Sequence, residues 1–337
     1  MKLAAGLIGG ALILALGLGV WLGAGFLHQE PQPRTQLTVR LDTDAVPQLV
    51  VRTLFATVRD GTREPRLGYA SIAPSGDGVE LTILDGVDKN QALARLRELT
   101  RQGSTGGAEG SFTIADTGGA VLRLTPTPAA IAQGVARAVE QTIDVLRERI
   151  DGLALKPTFQ LQGDGRFVIE VPRQPDAARL KALIVAPGKL AFRFVDTSMS
   201  VDQAKLGEMP PQTEILPDQK GTSYLLEKRI AMSGDNLIDA QPSLDQRSNE
   251  PIVTFRFNAV GAREFARMTG EKVGMPMAVV LDGVVLAAPI IREPILGGSG
   301  QISGNFTVDG ANDLAMLLRS GTLPAPLSII EEHTLEP

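Results

Sequence analysis

Few side chains in this 337-residue chain could do chemistry. It has no Cys, and its two His are His28 and His333. Zero Cys excludes disulfides, thiolate metal sites, a Cys nucleophile and a lipoprotein acylation site. A Ser-His-Asp triad or a multi-His zinc centre would need two His brought together from opposite ends of the chain. Asp42 and Asp44 form a carboxylate pair, but Asp44 is more simply the cap of a helix that starts beside it. The run Gly297-Gly298-Ser299-Gly300-Gln301-Ile302-Ser303-Gly304 has phosphate-loop composition. No GK[ST] follows it, no βαβ unit surrounds it, and QISGNFTV reads as extended chain rather than a helix start. Its plain reading is a tightly turned connection needing positive φ. Arg292 and Glu293, beside Pro294, suit a local ion pair. No catalytic residue, cofactor or metal is therefore expected, and the chain does not read as an enzyme.

The charge balance points the same way. The 33 Lys+Arg against 38 Asp+Glu give a net charge of −5, without the basic face of a nucleic-acid binder. Residues 3–27, LAAGLIGGALILALGLGVWLGAGFL, carry no charge. As a helix they would span roughly 37 Å, enough to cross a hydrocarbon core of about 30 Å. The run is longer than a secretory h-region, and Gly23-Ala24-Gly25 is a poor cleavage site, so an uncleaved anchor over 1–28 is expected. An N-in orientation would put the bulk of the chain outside the cytoplasm.

Beyond the linker HQEPQPRT the chain alternates strands and helices. LTVRL (37–41) reads as a strand, followed by a helix with Val46, Val50, Val51, Leu54, Phe55 and Val58 on one stripe. Strands at 68–73 and 79–84, a helix at 88–101 and the first of two strands up to 125 complete the order β-α-β-β-α-β, a ferredoxin-like unit. The pattern partly recurs. A helix over 128–150 precedes a hairpin turned at Gly163-Asp164-Gly165, a short helix (176–185) and a strand (189–196). Residues 197–222 are polar and Pro-rich and read as a linker or inserted loop. A further block has strands SYLLEKRI, NLIDAQPSL and PIVTFRFN, a helix VGAREFARMTGEKV, and a hairpin MAVVL-DG-VVLAAPI. A last helix starts at Asp309 or Asn312 and stops at Gly321, before a final strand. The continuous apolar run of the hairpin is either buried on both faces or exposes an apolar patch.

The same segments carry a resemblance. AVEQTIDVLRERIDGL (138–153), GDGRFVIEVP (163–172), KLAFRFVD (189–196), EKRIAMSGDNLIDAQPSLD (227–245), FRFNAVGAREFARMT (255–269) and the long string from Val279 to Glu332 resemble the SecD family, the large membrane subunit of the bacterial SecDF export complex. The resemblance is strong over 130–332 and weaker over 37–125. It implies an α+β fold: a ferredoxin-like base at 36–196, completed by 305–332, with an inserted α+β head at 197–304, all preceded by one N-terminal transmembrane helix. The family's Gly-Leu-Asp-Leu-x-Gly-Gly motif is absent after the first apolar segment. The intramembrane carboxylate for proton transport is expected in membrane helices that would follow Pro337.

By this resemblance the chain assists protein export across the inner membrane. It would bind emerging, unfolded preprotein on the periplasmic side, with a SecF-like subunit, the SecYEG translocon and the membrane as partners and no nucleic acid. Proton-gradient coupling would require parts outside this chain. The alternative is an anchored periplasmic assembly or regulatory protein that docks on a translocase without handling substrate. A gripping surface must be apolar and releasable. The candidates are Val279, Leu281, Val284, Val285, Leu286 and Ile290. Hinge candidates are Gly297, Gly298, Gly300 and Gly304, where the head would return to the base.

Overall fold

The computed structural model describes residues 33–63, 67–102, 111–172 and 176–335. The expected anchor over 1–28 lies outside the described residues. Among the described residues no helix is long and apolar enough to cross a membrane.

The first sheet is assembled from the far ends of the chain. Strand β1 (Arg34–Leu41) is followed by helix α1 (Val46–Gly61), strands β2 (Tyr69–Ser75) and β3 (Gly78–Ile83), helix α2 (Lys89–Gln102), strands β4 (Phe112–Gly118) and β5 (Val121–Pro126), and helix α3 (Pro128–Asp151). Then come β6 (Thr158–Gly163), β7 (Arg166–Pro172) and α4 (Ala177–Val185). The remaining strands are β8 (Leu190–Phe194), β9 (Thr213–Pro217), β10 (Ser223–Glu227), β11 (Met232–Ser233), β12 (Leu237–Leu244), β13 (Pro251–Phe257), β14 (Met277–Leu281), β15 (Val284–Ala287), β16 (Ser299–Ser303) and β17 (Leu327–Leu335). Among them lie helices α5 (Val201–Gln203), α6 (Ala259–Glu271) and α7 (Val308–Ser320).

β1 pairs with β17 on one side and β7 on the other, giving the antiparallel order β17-β1-β7-β6. Leu37, Val39 and Leu41 alternate toward α3 and α4, joined by Phe167, Ile169 and Val171 of β7. Ala138, Val139, Leu146 and Ile150 of α3 and Leu180 and Ile184 of α4 close that core. With two long insertions set aside, the path is strand, helix, two strands, helix, strand, ordered fourth, first, third, second.

The β-α-β-β-α-β unit expected over 37–125 does not form there. β2-β3-β5-β4 make a separate sheet that β1 does not join. β1 finds partners at Arg166–Pro172 and Leu327–Leu335 instead, which no local periodicity could announce. This second sheet packs Val79, Leu81, Leu122 and Leu124 against Val51, Leu54 and Val58 of α1 and Leu96 of α2. α1 thus faces both ways, since Val46 belongs to the first core. The expected cap also moves. Asp42, not Asp44, accepts from the Asp44 N–H at 3.1 Å and opens a short 3-10 turn, and α1 begins at Val46. Likewise α7 starts at Val308, capped by Thr307, rather than at Asp309 or Asn312.

The third unit is a pair of sheets, β11-β8-β14-β15 and β12-β13-β16, sharing one core with α6 and α7. Four of the eleven Phe of the chain meet here: Phe192, Phe255, Phe257 and Phe265, with centroids 5.3–6.1 Å apart. Tilted and edge contacts at such distances are the favourable ones. β14 is buried on both faces. Met277 and Val279 join the Phe core, while Ala278 and Val280 pack with Leu226 and Val285 on the other side. Residues 197–222, expected as loop, also contain β9, which pairs with β10. Arg193 holds that hairpin to β8, donating to the Glu227 carbonyl at 2.7 Å and pairing with Glu214.

Leu146 is fully buried in the first core, whereas Leu161 on the outer strand β6 is 65% exposed. Leu146→Ala should lower unfolding free energy by about 2–5 kcal/mol in urea titrations, and Leu161→Ala by no more than about 0.5 kcal/mol.

Candidate functional site

Two places gather side chains whose role goes beyond packing. The first is a cleft of about 370 Å³ in the third unit. Its floor is Phe192, Phe255, Phe265, Met277 and Val279; its walls are β16 and the segment Pro289–Ile295. The floor is apolar and aromatic, and the rim carries Arg292, Glu293 and Gln301. Among the described residues no cluster of His, Cys, Asp or Glu could hold a metal ion. What it can do is bury apolar side chains.

The hairpin candidates divide on burial. Val279 and Val285 are only 3% and 1% exposed: Val279 lies in the buried floor of the cleft, whereas Val285 packs with Leu226 away from it. Leu281, Val284 and Leu286 are half-buried, while Ile290 is 61% exposed at the cleft rim. Among the glycines, Gly300 and Gly304 sit in or beside β16 and Gly298 just before it, with Gly297 exposed ahead of them. A Cβ on Gly298 would come within 2.3 Å of the Ala262 Cβ, and one on Gly300 within 2.6 Å of the Phe255 ring. These glycines are required by close packing; Gly298 also has φ +62°. Only Ser299–Ser303 of the run is extended; Gly297 and Gly298 turn ahead of it, and QISGNFTV, expected as extended chain, bends at Gly304 and Asn305 and opens α7 at Val308.

The second place is where the chain enters and leaves the third unit. The two crossings are 186–189 and 320–323, not the glycine run. Leu323 N–H donates to the Pro187 carbonyl at 2.9 Å, and the Thr322 hydroxyl to the Gly188 carbonyl at 3.1 Å. Arg149, fully buried at the end of α3, donates to the carbonyls of Leu183 (2.8 Å), Ala186 (2.5 Å) and Gly321 (3.1 Å) and to the Ser320 hydroxyl (3.1 Å). It therefore ties the C-terminal ends of α4 and α7 together, where free carbonyls favour a cation. Burial pulls its pKa down to about 10, with Asp282 opposing the shift, so it is charged at neutral pH. Asp282, at the tip of the β14–β15 hairpin, accepts from the backbone N–H of Gly188 at 3.0 Å and of Lys189 at 2.7 Å. Arg179 of α4 forks onto Asp313 of α7 nearby, at 3.0–3.1 Å from Nε, and this carboxylate is the main cause of the raised Arg179 pKa.

Sequence reasoning found the Asp282-Gly283 turn but not the acceptor role of its side chain. It missed Arg149 altogether, because Arg147 and Glu148 beside it are exposed and mark that stretch as a polar face. Replacing Arg149 by Met takes this donor from the buried Leu183 carbonyl and from the part-buried carbonyls of Ala186 and Gly321. At about 1–3 kcal/mol for each unsatisfied group, chemical denaturation should show a loss exceeding about 3 kcal/mol. Arg149→Lys should recover little of it, since one ammonium cannot reach all four acceptors.

Comparison with known proteins divides the chain somewhat later, between residues 197 and 212, so that β8 falls in the N-terminal match. Residues 212–325 match the family model "SecDF, P1 head subdomain", and residues 139–197 match "Protein translocase subunit SecDF, P1 domain, N-terminal". A protein translocase subunit SecD of Rickettsia bellii is 33% identical over 302 residues, covering 89% of this chain and 57% of its own. That of Rhodobacter capsulatus is 41% identical over 204 residues, covering 60% of this chain and 36% of its own. A solved structure of SecDF, described as a membrane component that enhances protein export, is 32% identical over 58% of this chain and 92% of its own, with a TM-score of 0.45. The chain spans little more than half the length of the Rickettsia relative. Across the stretch that holds the Phe cleft and both crossings, this chain belongs to the SecD/SecDF P1 domain family.

Proposed function

We propose that this chain is the anchor and first periplasmic region of a SecD-like subunit that assists protein export by holding emerging, unfolded preprotein. The observation that carries the reading is the Phe-floored cleft: an apolar, non-catalytic recess within the stretch matching the P1 head subdomain. A site of this kind suits a ligand held by burial and released without chemistry. Residues 1–28 serve as a single-pass anchor in the inner membrane, and the rest stands in the periplasm.

In this reading the sheet β17-β1-β7-β6 with α3 and α4 is a ferredoxin-like base, whose strand order it shares. The head is drawn from about 188 to 321. β8 and α7, at the edges assigned to the base from sequence, contribute Phe192, Leu314 and Leu318 to the head core. The pivot, if the head turns on the base, falls at the two crossings beside Arg149. A SecF-like subunit and the SecYEG translocon are the partners, and the proton gradient acts through membrane parts outside this chain.

A photo-crosslinking residue at Ile290 should capture a translocation-arrested precursor well above the level obtained from Arg147 on the exposed face of α3. Equal yields from the two positions, with capture of translocase subunits only, would replace this reading by docking without substrate handling.

A further inference from the structure

The cleft has a wall whose backbone is unpaired. β16 is the last strand of the order β12-β13-β16. Its register sets Phe255 opposite Gly300 and Val253 opposite Ile302. The Phe257 N–H donates to the Gly298 carbonyl at 2.9 Å, so that pair bonds inward. Antiparallel pairs alternate, so Gly300 and Ile302 also bond inward, and Ser299, Gln301 and Ser303 turn their N–H and C=O groups away from β13. All three residues are exposed. Among the described residues no strand pairs with those outward backbone groups, and the only close neighbour besides β13 among the strands of this unit is β15, whose Leu286 carbonyl approaches the end of β16 at Gly304.

The two edges of this sheet are built differently. β12, on the far edge, carries Pro242, a register shift between Leu237 and Asp239, and α7 packed against it. Such features block further strands from adding. β16, Ser-Gly-Gln-Ile-Ser, has no Pro, no charge and an unbroken register. It borders the cleft directly through Ser299, Gly300 and Gln301. Gly300 lets the strand lie on the Phe255 ring, as a Cβ there would come within 2.6 Å of it. Charge does not select the occupant. Arg292 and Glu293 on the rim oppose each other, and Arg256 on the outer face lies 3.7 Å from Asp239.

We infer that β16 takes an extended, uncharged polypeptide segment as an added strand, with main-chain hydrogen bonds to Ser299, Gln301 and Ser303 and alternate apolar side chains in the Phe cleft. This rests on the polypeptide-binding reading and supplies its chemistry. Main-chain pairing is indifferent to sequence, and the cleft asks only that every second side chain be apolar. That combination fits a ligand presented unfolded and in many sequences.

The test uses the full chain in detergent and a fluorescent peptide of about eight residues alternating Ser and Leu, a length that covers a strand such as β16. Anisotropy titrations are repeated with single backbone N-methyl groups along the peptide. Loss of affinity of about tenfold or more at every second position, with Leu→Val changes staying within about threefold, is the expected result. Gln301→Pro, which removes one outward N–H from an edge strand, should weaken binding similarly, and Gln301→Ala should not. Peptide binding that ignores N-methylation at every position would overturn strand addition and leave cleft binding standing. Absence of binding by any peptide, with the chain folded by circular dichroism, would overturn both.

Discussion

A buried cation organises the joint on which the rest of this structure hangs. The hydrogen-bond partners of Arg149 are three carbonyls and a hydroxyl rather than a carboxylate. A charge so placed is tolerable only when its donors are met, and the guanidinium is the side chain with enough of them in a rigid fork. Its acceptors belong to the ends of two helices that lie 134 residues apart at the Arg179–Asp313 contact. α4 closes the first sheet and α7 closes the Phe core. The position of one unit relative to the other is therefore set where both helix ends converge on one side chain. Gly188 is part of the same solution: at φ +75° its missing Cβ leaves the space that the Arg149 guanidinium and the Gly321 carbonyl approach.

What the sequence made legible and what it hid divide along sequence distance. Helix stripes, hairpin turns and strand alternation are local. The stripe Val51, Leu54, Val58, the Asp282-Gly283 turn and the doubly buried run of β14 stand close to where periodicity placed them. Pairing is not local. β1 carries the same alternation whether it joins β3 or β7, so periodicity assigned it to the nearer sheet, and the register with Phe167 and Leu327 overruled it. The same blindness applies to the site. Glycines at 298 and 300 looked like freedom of motion because their neighbours, Ala262 and Phe255, are far off in sequence. Arg149 looked like one more charge on a polar helix because its partner Ser320 lies 171 residues away. The apolar hairpin was correctly marked as either core or patch. Burial resolves it residue by residue, with Val279 and Val285 inside and Ile290 outside.

The cleft and the joint are not independent, because one strand belongs to both. Met277 and Val279 of β14 form part of the cleft floor. Asp282, one residue past the strand's end, holds the 188–189 crossing by its carboxylate and returns its own N–H to the Lys189 carbonyl at 3.1 Å. From Met277 to Asp282 the extended chain covers only about 17 Å. β14 is paired on both sides, with β8 and β15, and packed on both faces, so it cannot flex within itself to absorb a displacement. A ligand that pushes on the cleft floor has two outlets: it shifts the sheet β11-β8-β14-β15 as a block, or it strains the Asp282 contacts at the crossing. β16 offers a third course, since a strand added at its free edge enters beside the floor rather than against it. A head that must accept many segments without loosening its root gains from receiving them at an edge, and the guarded far edge, the bare near edge and the locked crossing form a consistent set.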